Sequence, residues 1–519
     1  MRNIRQALHN RLVKSNHSSS KNDDNKSLTP SVKINIKWLK EALKNSADII
    51  HREFGIIKNN NTDTAIFYID GIVDNDYINR YIIVPLMDME QKQEKNITID
   101  HLLNHLLDKV LPSSNVKVVH NLNEVIHGVL VGKTVLFLEN HQSAILVNTI
   151  SYDSRPIEEP DTESTVRGSR EGFNEVLNTN TSLIRRKIVN PDLVFEEKVI
   201  GKQTQTRIRI AYIDGIVNQE IVEEVRKRIN QIDTDMVLES GYIEQFIEDT
   251  PSSLFPTVGN SEKSDKIAAK LLEGRVAIFC DGTPFVITVP YLFIESLQVP
   301  EDYYSRPFIS SFVRLLRLLA LFLTISTPGV FVSVATYHHE MVPTQLLITM
   351  AAAQERVPFP SFLETLIMIT IFQLLREAGV RMPRPVGSAI SIVGALVIGE
   401  AAVQAGLVGA PTVIVVALTA ITGFVVSALN NTVIILRYVI LFLAGGLGFY
   451  GILLGALVIV GHLCSLRSFG SPYLSPFAPV FFKEWKDALI RMPLWSLNKR
   501  PESVIWEPQR RQDDYNNRK

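Results

Sequence analysis

Cysteine is scarce, and charge is balanced over the chain as a whole. The 519 residues hold two cysteines, Cys280 and Cys464, far apart on different segments. That excludes a disulfide framework and a CxxC metal or redox pair, and buried or lipid-facing thiols are expected. A net charge of −1 offers no basic face for nucleic acid, which is set aside as a partner. Residues 1–30 carry basic side chains but no apolar core of the kind a secretory signal needs. They read as a disordered, Ser/Asn/Lys/Asp-rich lead-in, and the chain is expected to begin on the cytoplasmic side.

Catalytic and cofactor signatures are missing as well. His338, His339 and Glu340 are adjacent on a short loop and cannot alone assemble a metal site. GVLVGKT at residues 128–134 resembles a phosphate-binding loop, but three residues separate its glycines instead of four, and a strand follows where a helix N-terminus is needed. With no nucleophile and base pair, neither an enzyme nor a bound cofactor is expected.

What is present begins with a repeat. YIDGIV occupies residues 68–73 and returns at 212–217, about 144 residues later. Each copy ends a β-favouring run at Asp-Gly and precedes a helical period, with Asn218 as a helix cap in the second. Asp70 and Asp214 are ordinary turn residues there. EVIHGVLVGKTVLFLENHQSAILVN (124–148) aligns with DKIAAKLLEGRVAIFCDGTPFVITV (265–289), each a helix end, a strand, a polar turn and a second strand. The expected organisation is a lead-in at 1–30, α/β subdomains at 31–150 and 189–304, and a charged linker at 151–188 between them. The linker suggests a helix from about Arg170 to Leu177 and another from Ser182. It suits either a solvated connection or an ion-pair interface.

From residue 305 to 463 the chain turns apolar, and a basic tail follows at 464–519. Five stretches approach or exceed the roughly 20 residues that span a hydrocarbon core: 313–335, 357–375, 386–407, 411–429 and 438–463. The fold class is thus an α/β soluble N-terminal region of two tandem related subdomains followed by an all-α polytopic membrane domain. Arg306, Arg314 and Arg317 precede the first stretch, Arg376, Arg381 and Arg384 follow the second, and Arg437 lies between the fourth and fifth. This bias puts the N-terminal half inside. Five spans would then send a tail with Arg467, Lys483, Lys486, Arg491, Lys499 and Arg500 outside. Either the glycine-rich last stretch is re-entrant, or an earlier stretch does not span, or the tail breaks the rule.

In the third stretch Gly387, Ser391, Ala395 and Gly399 recur every fourth residue and form a close-packing face. Ile392, Leu396, Glu400 and Gln404 line the adjacent face. A carboxylate and an amide there should face protein or water, as the wall of a pathway or as a buried hydrogen-bonded pair. Glu364 is a second pore candidate, with a capping box from Ser361 as the simpler reading. Gly451 and Gly455 repeat the packing spacing.

RPIEEPDTESTVRGSREGFNEVLNTNTSLIRRKI, VPFPSFLETLIMITIFQLLREAGVRMPRPVGSAISIVGALVIGEAAVQAGLV and SFGSPYLSP run in order along the chain. From about residue 140 onward the sequence closely resembles the A subunits of the GerA family of spore germinant receptors. The resemblance implies a multi-pass protein of the spore inner membrane, working with a transporter-like B subunit that senses nutrient and a C subunit that is a lipoprotein. It also implies that A subunits form a homo-oligomer around a cation pore whose opening starts germination. The alternatives are a transporter, which would show inverted repeats of its spans, and a scaffold, which would tolerate pore-face substitutions.

Overall fold

The computed structural model describes residues 26–55, 63–91, 103, 105–107, 116–151, 163, 167–381, 397–505 and 511. They form two compact units, one running to Ile247 with Asn260–Val289, the other comprising Glu248–Gly259 and the chain from Pro290 onward. The N-terminal region is sheet-rich and the C-terminal part helical.

The first unit contains two five-stranded sheets. After α1 (Val32–Ala42) come β1 (Ile49–Gly55), β2 (Asp63–Ile69), β3 (Val116–Val119), α2 (Leu122–Leu130), β4 (Lys133–Leu138) and β5 (Ala144–Asn148), with spatial order β1-β2-β4-β5-β3. The chain then runs through α3 (Leu177–Lys187), β6 (Leu193–Ile200), β7 (Thr206–Ile213), α4 (Gln219–Asn230), α5 (Ser240–Ile247), β8 (Gly259–Ser261), α6 (Ser264–Leu272), β9 (Val276–Cys280) and β10 (Val286–Val289). The second order, β6-β7-β9-β10-β8, is the first one repeated. Register agrees residue by residue: Ile49 pairs with Ile69 as Leu193 does with Ile213, and Ile66 with Leu136 as Ile210 does with Ile278. The central strands β4 and β9 read as largely apolar runs without polar alternation because their side chains are buried almost throughout.

YIDGIV marks one turn used twice. Its isoleucine ends the strand in the core, and its glycine takes a positive φ, +85° at Gly71 and +78° at Gly215. The intervening aspartate N–H donates to the carbonyl of Asp48 in the first copy and of Asp192 in the second. The helix after each turn is capped by a side chain, Asp74 accepting from Tyr77 N–H and Asn218 from Glu220 N–H.

The charged segment before β6 differs from its sequence reading. Residues 170–176 are not helical, because Gly172 bridges to Lys263 and Phe173 N–H donates to Glu262, which commits that backbone to an extended course. One helix, α3, then replaces the two expected pieces. It carries an ion-pair interface with the first sheet. Arg185, 2% exposed, sets Nε 3.0 Å from Asp48 Oδ2 and Nη2 3.0 Å and 2.8 Å from its two oxygens. Its Nη1 donates to Leu193 O, and Ser46 Oγ links Arg185, Asp48 and Phe195 N–H. Lys44 pairs with Asp214, and Asn178 donates to Asp70, at the edge of the same contact.

Both cysteines are free, Cys280 buried and Cys464 exposed. Burial, with the Glu239 and Asp281 carboxylates nearby, pushes the Cys280 thiol up to about 12. A water-soluble maleimide at neutral pH should leave Cys280 unmodified in the folded protein and modify it in denaturant. Peptide mapping by mass spectrometry checks this, and native labelling of Cys280 would show that β9 opens readily.

The second unit is built from α7 (Pro307–Thr336), α8 (Thr344–Gln354), α9 (Ser361–Arg381), a helical segment at 397–404, α10 (Ala410–Val425) and α11 (Asn430–Ser465). Among the described residues, α7 and α11 are long and apolar enough to cross a membrane. The unit wears its apolar residues outside: Phe308, Phe312, Leu319 and Phe322 on α7, and Phe442, Leu453, Leu457 and Val460 on α11, are exposed. Inside lie Thr324, Ser333, Thr419, Thr432 and Arg437. This inversion is what hydrocarbon, not water, would select.

α11 is two helices folded back on each other. Gly448 breaks the helix with φ 60° and ψ −141°. Beyond it, a Cβ on Gly455 would stand 2.5 Å from Ile440 Cδ1 and 3.0 Å from Leu443 Cδ1, so the arms run antiparallel, with a glycine of the second against Ile440 and Leu443 of the first. Both ends return to one place. Thr432 Oγ1 donates to Leu254 O at 2.5 Å, His462 Nε2 lies 2.9 Å from Ser253 Oγ, and Leu436 and Leu463 share a cluster with Phe255 and Tyr291. The stretch at 438–463 therefore goes out and comes back.

Candidate functional site

Three levels can be read in the helical unit from its own contacts. At the hairpin tip, Gly448 meets Tyr337 and His338 at the end of α7, and Phe362 at the start of α9 packs edge-to-face with Phe442. Midway, Tyr438 lies against Thr370 of α9. Just to the base side of this level, Arg437 of α11, Thr324 of α7 and Gly423 of α10 converge, and Arg376 of α9 lies over Phe424 of α10. Thus α7 and the first arm of α11 run from base to tip, while α9, α10 and the second arm run from tip to base.

Of the pore-face residues read from sequence, Glu400 and Gln404 are described. Both are exposed on the 397–404 segment, and Gln404 Nε2 donates to Glu400 Oε1 at 3.0 Å. Gly399 is turned the other way, buried with Val413 of α10 in van der Waals reach. Ile392, Leu396, Gly387, Ser391 and Ala395 lie outside the described residues. Gly451 and Gly455 sit between the two arms of α11.

Glu364 is fully buried, and the capping-box reading does not hold. Its Oε1 accepts the N–H of Gly409, the residue that opens α10, and Ser361 Oγ accepts from Gln354. The carboxylate sits where the first N–H groups of α10 need an acceptor and where the helix dipole favours negative charge. It is a cap supplied from another helix, and it ties the end of the 397–409 segment to α9.

Arg437 also departs from its sequence reading as a connecting-loop residue. It lies inside α11 and is 3% exposed. The cause is on α7, where Pro328 has no N–H and frees the carbonyl of Thr324 four residues earlier. Arg437 Nε donates to that carbonyl at 3.1 Å. The signal was present in sequence as a proline in one apolar stretch and an arginine at the edge of another, but only packing pairs them. Among the described residues no group of three metal-ligating side chains occurs.

A family model described as Bacillus/Clostridium GerA spore germination protein matches residues 37–503. The chain belongs to the GerA family. Within it, the chain is 45% identical to spore germination protein KA of Bacillus subtilis (strain 168), over 93% of this chain and 89% of that protein. It is 42% identical to the uncharacterized membrane protein YfkQ of the same organism, with 91% of each covered. Against spore germination protein GerLA of Bacillus cereus it is 38% identical, over 90% of this chain and 94% of the other. Among solved structures, the N-terminal domain of the A subunit of the Bacillus megaterium spore germinant receptor GerK3 matches 52% of this chain and 98% of its own, at 37% identity and TM-score 0.42. Membership of the GerA family thus extends over nearly the whole length of the chain.

Proposed function

We propose that the chain is the A subunit of a nutrient germinant receptor in the spore inner membrane, oligomerising around a cation pore that opens when a B subunit binds nutrient. The observation that carries this reading is the Glu400–Gln404 pair, exposed on a helix whose other side packs on α10 amid an outward surface of Phe, Leu, Ile and Val. A carboxylate at that depth is costly against lipid. Neighbouring copies and a central water column relieve that cost, and the i+4 spacing of Ile392 and Leu396 with Glu400 in the sequence makes them the further candidates to line the passage. Glu364 acts in this scheme by holding the end of the pore segment to α9.

The levels of the helical unit support six crossings. α7 crosses outward, α9 and α10 each run back, which requires one further outward passage of the chain between them, and the hairpin of α11 crosses twice. Each arm of that hairpin, 430–447 and 449–465, measures about 26 Å at 1.5 Å per residue, close to a hydrocarbon core. An even count keeps both ends of the chain on the cytoplasmic side, and the basic tail then obeys the charge rule. The C subunit, a lipoprotein, completes the receptor.

Alanine at Ile392 or Leu396 should raise basal cation release or liposome conductance, by about tenfold if the two side chains form a dewetted constriction. Unchanged leak and gating in a fully assembled complex would remove the pore.

A further inference from the structure

Residues 481–499, FFKEWKDALIRMPLWSLNK, hold two of the chain's four tryptophans and three lysines, with no apolar run long enough to span a bilayer. Apart from single turns at Glu484–Lys486 and Leu494–Ser496 their backbone is irregular. The segment is nevertheless fixed to the start of α7. The Asp487 carboxylate accepts from Arg314 Nη1 at 3.1 Å and from the Tyr303 hydroxyl at 3.0 Å, and the Asp487 carbonyl accepts from Gln298 Nε2 at 2.8 Å. Arg491 N–H donates to Ser311 Oγ at 3.0 Å, and Arg491 Nη2 to the carbonyl of Tyr303 at 3.2 Å. Glu484 accepts from both the N–H and the hydroxyl of Ser503.

These contacts sort the charges. Both carboxylates of the segment, and Arg491, are spent inside the protein, whereas Lys483, Lys486 and Lys499 are exposed and have no carboxylate partner among the described residues. Apolar side chains divide the same way: Ala488 and Leu497 are buried, while Phe482 at 76% and Trp495 at 56%, with Ile490 and Leu494, are exposed. The exposed surface is therefore aromatic, aliphatic and cationic, with the acids withdrawn. Its depth follows from where it is held. The 30 residues of α7 measure about 45 Å at 1.5 Å per residue, about 15 Å more than a hydrocarbon core, so end turns of the helix stand among headgroups. Ser311 and Arg314, which hold the segment, lie in its first turns beside the exposed Phe308, Phe312 and Leu315. An irregular backbone cannot enter hydrocarbon, because its polar groups need partners there. Headgroup depth suits it, and there tryptophan and lysine concentrate.

We infer that residues 481–499 lie in the headgroup layer of the cytoplasmic leaflet, with Phe482, Trp485 and Trp495 against the acyl boundary and Lys483, Lys486 and Lys499 on the phosphates of anionic phospholipids. The inference rests on the membrane placement proposed above but not on the pore. Because Asp487 and Arg491 hold the start of α7, this contact fixes the depth at which α7 enters the bilayer.

The full chain in liposomes of phosphatidylcholine with increasing phosphatidylglycerol, followed by tryptophan quenching with acyl-brominated lipid, tests the anchor. Quenching should grow with phosphatidylglycerol and should fall in Trp485→Phe and in Trp495→Phe. Trp485 also donates Nε1 to Pro476 O, so Trp495→Phe, at an exposed side chain, decides the matter if the former does not fold. Lys483→Gln and Lys499→Gln should each raise by about fivefold the phosphatidylglycerol content that gives half-maximal quenching, and Lys483→Arg should not. Quenching that Trp495→Phe leaves undiminished, or that is equal with and without phosphatidylglycerol, overturns the proposal. Tryptophans unquenched by lipid yet shielded from aqueous iodide would give the surface to a protein partner or a second copy, and overturn it too. A chain that alkaline carbonate washes off liposomes loses the membrane placement and the anchor with it. One that stays but is unquenched loses the anchor alone, and one that conducts no cations yet is quenched loses the pore and keeps the anchor.

Discussion

Alanine at Arg185 should destabilise the first unit by about 3–5 kcal/mol, since it strands Asp48 in a buried contact with no countercharge. Asp48 is then left with Ser46, whose hydroxyl also serves Phe195 N–H. The contact joins the start of β1 to α3 and the start of β6, so the loss falls on the seam between the two sheets. Thermal unfolding of the full chain, with hydrogen exchange resolved to β1 and α3, measures it. Asp48→Ala should cost a similar amount, and the double variant much less than the sum, because each single change already removes the shared interaction. A shift below about 1 kcal/mol for Arg185→Ala would reduce the pair to the value of a surface ion pair.

Substitution at the α11 hairpin should be at least as damaging. Gly448 holds backbone angles that residues with a Cβ avoid, at a cost of about 1–3 kcal/mol. A Cβ there would also meet His338 Cε1 at 3.0 Å and Tyr337 at 3.2 Å. At Gly451 the obstacle is backbone: a Cβ would stand 2.1 Å from the carbonyl oxygen of Leu443. Gly448→Ala and Gly451→Ala should therefore strongly reduce the amount of folded protein in the membrane fraction. Gly446→Ala and Gly461→Ala should accumulate normally, since nothing lies within 4 Å of a Cβ at either position. Immunoblots of membranes from the four variants make the comparison. Equal accumulation of all four would mean that α11 does not turn back on itself.

Much of the N-terminal region was legible because β-sheet patterning is local. YIDGIV advertised its turn by Asp-Gly between apolar residues, and the offset of 144 residues between copies reappears in the pairing of Ile49 with Ile69 and Leu193 with Ile213. The linker was harder, since Arg185 reads as one more charge until its partner is known, and that partner lies 137 residues away. In the helical unit, apolar length marked the stretches but could not separate one long helix from two arms. Glycine frequency hinted at the turn; only the backbone angles of Gly448 and the facing of Gly455 on Ile440 establish it. Glu364 resembled a local cap because Ser361 stood at the right spacing. An unfilled N–H at Gly409 competed for the carboxylate and won.

By itself the sequence determined the lineage, the duplicated sheet and the division into a charged, sheet-rich half and an apolar, helical one, because each is written in residue order or in short periods. Tertiary structure decided which charges are partners and which way the last helix runs. Asp48 with Arg185, Thr324 with Arg437 and Glu364 with Gly409 are contacts across distant segments, set by where desolvated groups find acceptors or donors, and no local period encodes them.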